Sequence, residues 1–286
     1  MSNFPFPVTW AKSVIRRLRR RLRRRSGSVA IASLEPAARY GRLPEAIEAI
    51  RLKALAGHVL EQVLWGQILR DSVYVPSRPD LAFRWFEGAA NAGYGPGLNM
   101  LGRCYQFGWG CSRDLLRAAT CYEQAALRGD AWGCYNLAIL TMRGIGVEKD
   151  LARALTLFKA GAEAGHAKSM NLYARFLEEG WEIARDREAS ALWYQRSAEA
   201  GDYRGQHNYA TLLCDQGKRE QALEWWRKAV GEATSDILLA MRTRLSLLDP
   251  PADAALVSAV EERLAGLECG QGAMPVMQPD PHETVS

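Results

Sequence analysis

The sequence predicts an all-helical solenoid, and three observations carry that prediction. Five glycines stand at one interval: Gly57, Gly93, Gly129, Gly165 and Gly201, each 36 residues after the last. The same interval links a large apolar residue followed by a small one, at Trp65-Gly66, Leu101-Gly102, Leu137-Ala138, Tyr173-Ala174 and Tyr209-Ala210. It also links a small–aromatic–small series: Ala82, Phe86, Ala89; Ala118, Tyr122, Ala125; Ala154, Phe158, Gly161; Ser190, Tyr194, Ser197. Offsets of four and three place each trio on one face of a helix. A period in the 20–50 range marks stacked units that bury a continuous core only against their neighbours. Each unit is therefore helix A, loop, helix B. The expected fold is a right-handed superhelix of about six helical hairpins without strands, closed by a C-terminal capping pair.

The elements follow in chain order. Residues 1–28 form a basic arm, expected to be disordered when free. Its first 25 residues hold nine basic side chains (Lys12 and Arg16, Arg17, Arg19, Arg20, Arg21, Arg23, Arg24, Arg25) and no acid. The net charge of the chain is +5, so without these nine the body, with 28 basic and 32 acidic residues, is near −4. Residues 29–230 form the repeat array. Its first unit has a short turn, with Gly41 five residues before Ala46 and Ile50 in the aromatic position. Its last unit repeats that form, with Gly217, Ala222 and Trp226. Residues 231–268 read as two helices, Ser235–Leu248 and Ala252–Leu267, separated by Pro250-Pro251. Residues 269–286, with Pro275, Pro279 and Pro281, read as a disordered tail.

The punctuation has physical reasons. The recurrent glycine follows helix B, where a left-handed cap residue is needed and glycine adopts it without steric cost. Gly108-Trp109-Gly110 and Gly144-Ile145-Gly146 fill the loop after helix A. Asp114, Asp150 and Asp186 then stand where helix B needs an N-cap. Gly165 is expected to be the stricter position and loop glycines such as Gly146 the more permissive. The G-x-G fragments recur with the period between helices, so they read as structure rather than as phosphate loops.

Catalytic and metal chemistry find little support. His58 and His166 share one repeat position 108 residues apart, three units distant in space, and read as turn residues. His207 lies on a helix and His282 in the tail, so no histidine pair has metal-ligand spacing. No G-x-S-x-G, H-E-x-x-H or P-loop pattern occurs. Glu178-Glu179 and Glu261-Glu262 read as solvated helix surface, and most tryptophans as core. The expectation is a protein without enzymatic activity, cofactor or small-molecule substrate. The cysteines (104, 111, 121, 134, 214, 269) form no C-x-x-C and no paired framework, so free thiols in a reducing compartment are expected. The segment Ser28–Leu34 is too short and too polar for a signal peptide, and no run reaches the ~18 apolar residues of a membrane span. The cytoplasm is the expected location, with the arm as a route to the inner face of a membrane.

The 36-residue unit resembles the Sel-1-like repeat family, and the two short units are similar to tetratricopeptide repeats. The resemblance rests on Ala56-Gly57-His58, Ala164-Gly165-His166 and Ala200-Gly201-Asp202, on Tyr135-Asn136-Leu137-Ala138, on Gly144-Ile145-Gly146-Val147 with Asp150, and on Ala191-Leu192-Trp193-Tyr194. It covers residues 29–230 and implies a non-catalytic adaptor or scaffold. Secreted cysteine-rich members of the family staple repeats through cysteines eight apart. Here Cys134 meets Ala126, so that staple is absent.

If helix A keeps tetratricopeptide geometry, the groove-facing residues flank the Leu101-type position by two and five. They include Asn99, Arg103 and Gln106; Trp132, Tyr135 and Met142; Lys168, Asn171, Arg175 and Glu178; Arg204 and His207. Asn99, Arg103, Tyr135, Lys168, Asn171, Arg175, Arg204 and His207 are the expected peptide contacts. Their arginines suit an acidic or C-terminal segment. In the alternative reading the arm dominates. Trp10, Val14, Leu18 and Leu22 recur every fourth residue and give it an apolar stripe, which suits an anionic membrane surface better than nucleic acid, although a purely disordered tail stays open. Deleting residues 1–27 is expected to leave the helical content intact and to remove retention on anionic vesicles, an effect that fades with salt. Sedimentation of both forms with such vesicles checks this, and equal pelleting would remove the arm as the anchor.

Overall fold

The computed structural model describes residues 43–271 apart from 72, 73, 250 and 252. The arginines of the arm, the first helix of the front unit and the C-terminal tail therefore lie outside the described residues. Thirteen helices and no strand are found among the described residues. They are α1 Glu45–Leu55, α2 Val59–Asp71, α3 Pro79–Asn91, α4 Gly95–Phe107, α5 Leu115–Leu127, α6 Ala131–Arg143, α7 Leu151–Glu163, α8 Ala167–Glu179, α9 Arg187–Glu199, α10 Tyr203–Asp215, α11 Arg219–Val230, α12 Ser235–Ser246 and α13 Ala254–Gln271. From α1 to α11 each helix packs on the next in sequence, the pattern of an α-solenoid, whereas α12 packs on α10 and α13. The even-numbered helices α2 to α10 are the A helices. Successive A helices also touch one another (α2 with α4, α4 with α6, α8 with α10), and α10 touches α12, so the A helices line the inner face.

Within a hairpin, the ring of helix B seats on the small residue of helix A. A Cβ on Gly66 would lie 2.5 Å from Phe86, and one on Gly102 would lie 2.7 Å from Tyr122. Phe86, Tyr122, Phe158, Tyr194 and Trp226 are accordingly buried to within 1%. Between hairpins the approach is as close, and there an added side chain would also meet backbone atoms of the neighbouring helix. Gly97 faces Ala89, Gly133 faces Ala125 and Gly205 faces Ser197, again at intervals of 36 residues or its multiples. An added Cβ would stand 2.7 Å from that of Ala89 or 2.6 Å from that of Ala125. At the remaining crossing the roles are exchanged: glycine is on helix B (Gly161) and the larger residue is Ser169 on helix A.

The helix ends follow their sequence signals. Asp114, Asp150 and Asp186 accept the N–H of Arg117, Arg153 and Ala189 at the start of α5, α7 and α9. Gly57, Gly93, Gly129, Gly165 and Gly201 all have positive φ. The ranking of the glycines is corrected. A side chain at Gly165 would meet nothing within 4 Å, so only its φ of 87° resists substitution. Gly146 has a φ of 68° and its Cβ would also lie 2.6 Å from Leu115, so the loop glycine is doubly constrained. In the third loop Glu182 takes the equivalent place with a φ of 55°, an unusual left-handed conformation for a residue with a side chain.

Two further expectations change. In α1 the buried residues are Ile47 and Ala54, whereas Ala46 is exposed, so that helix is turned by one position from the assumed register. Among the described tryptophans only Trp65, Trp85 and Trp226 are fully buried. Trp109, Trp181, Trp193 and Trp225 instead carry an arginine or lysine over their rings, and Trp132 is 47% exposed. At the C-terminal end, Leu238, Met241 and Leu245 of α12 and Leu256, Val260 and Leu264 of α13 join one cluster with Leu213, Leu223 and Trp226 and cover the last hairpin.

The exchanged glycine gives a test of the inter-hairpin crossing. Gly161→Ala is expected to cost about 1–3 kcal/mol through overpacking. Adding Ser169→Gly is expected to recover most of that loss, because it restores one small residue per crossing. Urea midpoints of the single and double variants check it, and equal midpoints would show that the crossing does not limit the approach.

Candidate binding cleft on the inner face

The inner face is built from side chains that one helix presents to the next, and this is where the structure departs most from the expected groove. Asn99, Tyr135, Asn171 and His207 share one repeat position, and each is only 6–8% exposed. Asn99 and Asn171 are not free to face a groove, because the next A helix packs over each of them. Asn136 donates to Asn99 at 2.8 Å, and Asn208 donates to Asn171 at 2.8 Å. Tyr135 is enclosed by Trp132, Phe158 and His166. Trp226 donates its indole N–H to His207 Nδ1 at 3.2 Å.

The basic candidates are also engaged. Arg103 lies over Trp109, which it shares with Arg70, and Arg175 lies over Trp181. Both stacks hold a guanidinium against the tryptophan of its own loop. Arg204 pairs with Asp236 at 2.9 Å and lies over Tyr203, so it ties α10 to the start of α12. Lys168 is half-buried near His166 and Asp202. The middle of the face is closed, because residues 133–141 of α6 are all buried and Ile139 occupies the place held by Arg103 and Arg175 elsewhere.

The face opens at its C-terminal end. A cleft of about 500 Å³ lies between α8, α10 and α12, with Tyr194 of α9 bordering it. Glu178 enters from α8, and the Tyr194 hydroxyl donates to its Oε2 at 2.8 Å. Asn208 is held by its bond to Asn171, and His207 by Trp226. Asp215 and Arg244 pair at 3.2 Å across the α10–α12 edge. Thr211, Leu212 and Leu247 complete the wall, and Leu247 is 75% exposed at the rim. Burial lowers the His207 pKa to about 4, so the ring is neutral at pH 7. Because Nδ1 accepts the indole proton, the neutral ring carries its own proton on Nε2.

Glu178 and His207 were among the groove positions read from sequence. The α12 wall was not, since it lies beyond the repeat period. A repeat-to-repeat correspondence could have marked Glu178: Tyr122 donates to Gln106 at 2.6 Å, the same pair 72 residues earlier.

The turns before α6, α8 and α10 each carry a side-chain cap, whereas Tyr94 before α4 makes none. Asp130, His166 and Asp202 accept the N–H of Gly133, Ser169 and Gly205. His166 is thus the turn residue that the repeat position implied. Burial is the main cause of its pKa falling to about 4, and the charge of Lys168 adds to it. Burial raises the carboxyls of Asp130 and Asp202 above the usual range.

With that geometry in place, the comparisons with known proteins are specific. The Sel1 repeat model matches residues 62–94, 95–130, 133–166, 167–202 and 204–230, and the chain belongs to the Sel1 repeat family. No curated protein matches the sequence. Among solved structures, the chain is similar to a protective antigen of uropathogenic Escherichia coli with an SLR fold, at 25% identity and a TM-score of 0.59. That match covers 78% of this chain and 49% of the antigen, so this chain spans about half its length. A Sel1 repeat protein from Oxalobacter formigenes has 22% identity and a TM-score of 0.63, covering 80% of this chain and 94% of that one. Among the described residues no helix is long and apolar enough to cross a membrane.

The two buried histidines predict an acid-sensitive fold. A histidine whose pKa is lowered by folding contributes stability above its unfolded pKa, and that contribution is lost as pH falls from about 6.5 to about 4. Each is worth up to roughly 3 kcal/mol, while Asp130 and Asp202 act in the opposite sense. His166→Asn keeps an N-cap acceptor without a titrating ring and is expected to flatten the loss of stability between pH 6.5 and 4. Urea unfolding across that range checks the difference in slope.

Proposed function

We propose that this protein is a non-catalytic scaffold that holds a segment of another protein on its inner face, seated in the cleft between α8, α10 and α12. The observation that carries the reading is the fixing of the polar groups before any ligand arrives. Tyr194 orients Glu178, Asn171 orients Asn208 and Trp226 orients His207. Groups held by a second layer of hydrogen bonds lose little freedom on binding, which favours recognition. The stacked Arg175 and the half-buried Lys168 extend the surface along α8, and Arg103 extends it to α4. The family supports a protein-binding role in general terms, and membership in it favours a scaffold over an enzyme.

The Arg-rich arm supports a second mode, attachment to an anionic membrane surface in the cytoplasm, through Arg16, Arg17, Arg19, Arg20, Arg21, Arg23, Arg24 and Arg25 with the apolar stripe between them. The two readings are compatible, because the arm and the cleft are different parts of the chain.

Filling the cleft tests the scaffold reading. Thr211→Arg places a long side chain in it, whereas Leu192→Arg changes an exposed site on the outer helix α9. Partners captured from host lysate by the unaltered protein are expected to be lost with Thr211→Arg and retained with Leu192→Arg, both variants keeping the helical spectrum. Partners retained equally by both variants would move the binding surface off the cleft.

A further inference from the structure

The cleft also indicates what kind of segment it holds, an inference that rests on the scaffold reading above. The expected ligand, from the arginines of the A helices, was acidic. The structure shows a different charge pattern where the face is open. Arg204 is neutralised by Asp236, and Arg244 by Asp215. Glu178 remains as the carboxylate of the cleft, with one oxygen bonded to the neutral Tyr194 hydroxyl and no salt bridge among the described residues.

The second observation is His207. It is 7% exposed, it borders the cleft, and its Nδ1 is occupied by Trp226. Its remaining polar atom is an N–H donor on Nε2. That N–H is not among the sealed, unpartnered polar atoms, so it is reachable from the cleft, where a peptide carbonyl can accept from it. The cleft therefore offers a fixed acceptor, Glu178, and a fixed donor, His207, with Leu212 and the exposed Leu247 beside them.

We infer that the bound segment inserts a lysine or arginine side chain whose charged head meets Glu178, whose aliphatic stem lies on Leu212 and Leu247, and whose peptide carbonyl accepts from His207. Long basic side chains combine an apolar stem with a cationic head, the combination that this lining matches. A glutamate or aspartate in the same place leaves two carboxylates facing each other and is rejected.

Three acetylated and amidated pentapeptides, identical in flanking alanines and carrying arginine, norleucine or glutamate at the centre, test the inference against the full chain. The readouts are the NMR signals of the Asn208 side-chain amide and the Trp226 indole N–H, which report on the cleft through their bonds to Asn171 and His207. The arginine peptide is expected to shift both signals and to bind at least tenfold more tightly than the norleucine peptide, with the glutamate peptide silent. Glu178→Gln, which keeps an acceptor for Tyr194, is expected to lower the affinity of the arginine peptide about tenfold. Tyr194→Phe, which keeps the charge and frees its orientation, is expected to cause a smaller loss. Binding of the norleucine or glutamate peptide as tight as that of the arginine peptide, or no effect of Glu178→Gln, would overturn the charge preference and leave the scaffold reading standing. No movement of either signal with any of the three peptides would overturn both.

Discussion

The crossing between one hairpin and the next sets the geometry of everything else. Helix B and the following helix A meet with room for one small side chain and no second: Gly97 against Ala89, Gly133 against Ala125, Gly161 against Ser169 and Gly205 against Ser197. Close backbone approach brings the flanking side chains into van der Waals contact along the whole helix, which is where dispersion and burial accumulate. It also fixes the repeat spacing, because a crossing that cannot be widened or narrowed cheaply repeats with the same angle. The buried aromatic rings then fall on the small residues of their own hairpins, and the A helices come near enough for side chains to bridge them.

That nearness has an electrostatic consequence. Where A helices touch, polar side chains at the shared position face one another in a poorly solvated seam and must be satisfied there. Asn99 with Asn136 and Asn171 with Asn208 meet that demand by amide pairing, and His207 by accepting from Trp226. The same groups act on the seam and on the cleft. The bond that satisfies Asn171 orients Asn208, and the bond that satisfies Trp226 sets the tautomer of His207. Stability and recognition are coupled through these shared contacts.

How much of this was legible in sequence follows from the kind of constraint involved. The helical hairpins, the left-handed glycines and the aspartate caps were readable because each rests on one residue and its own backbone. Asp114, Asp150 and Asp186 are an example: an N-cap needs only a short acceptor at the right place. The groove was harder. Periodicity along one helix tells which face is apolar, but not whether a polar residue on the other face meets solvent or a neighbouring helix, and Asn99 and Asn171 meet a helix. The glycine series at 97, 133 and 205 was visible in principle and was masked by Ser169, which breaks the pattern because its partner Gly161 takes over the small role. Arg244 and Leu247 carried no repeat signal at all, since the cap that supplies them is unique in the chain.

Three polar features recur in the hairpins α4–α5 and α8–α9. Tyr122 with Gln106 and Tyr194 with Glu178 are 72 residues apart, as are the two asparagine bridges and the two arginine–tryptophan stacks. In the interval stand Phe158, Tyr135 and Ile139, which close the same positions with apolar surface. The hairpins α4–α5 and α8–α9 are therefore built alike and differ from the α6–α7 hairpin between them, although the backbone repeats with one hairpin. Duplication or loss of a single hairpin would bring two polar or two apolar versions side by side and leave amides facing phenyl rings.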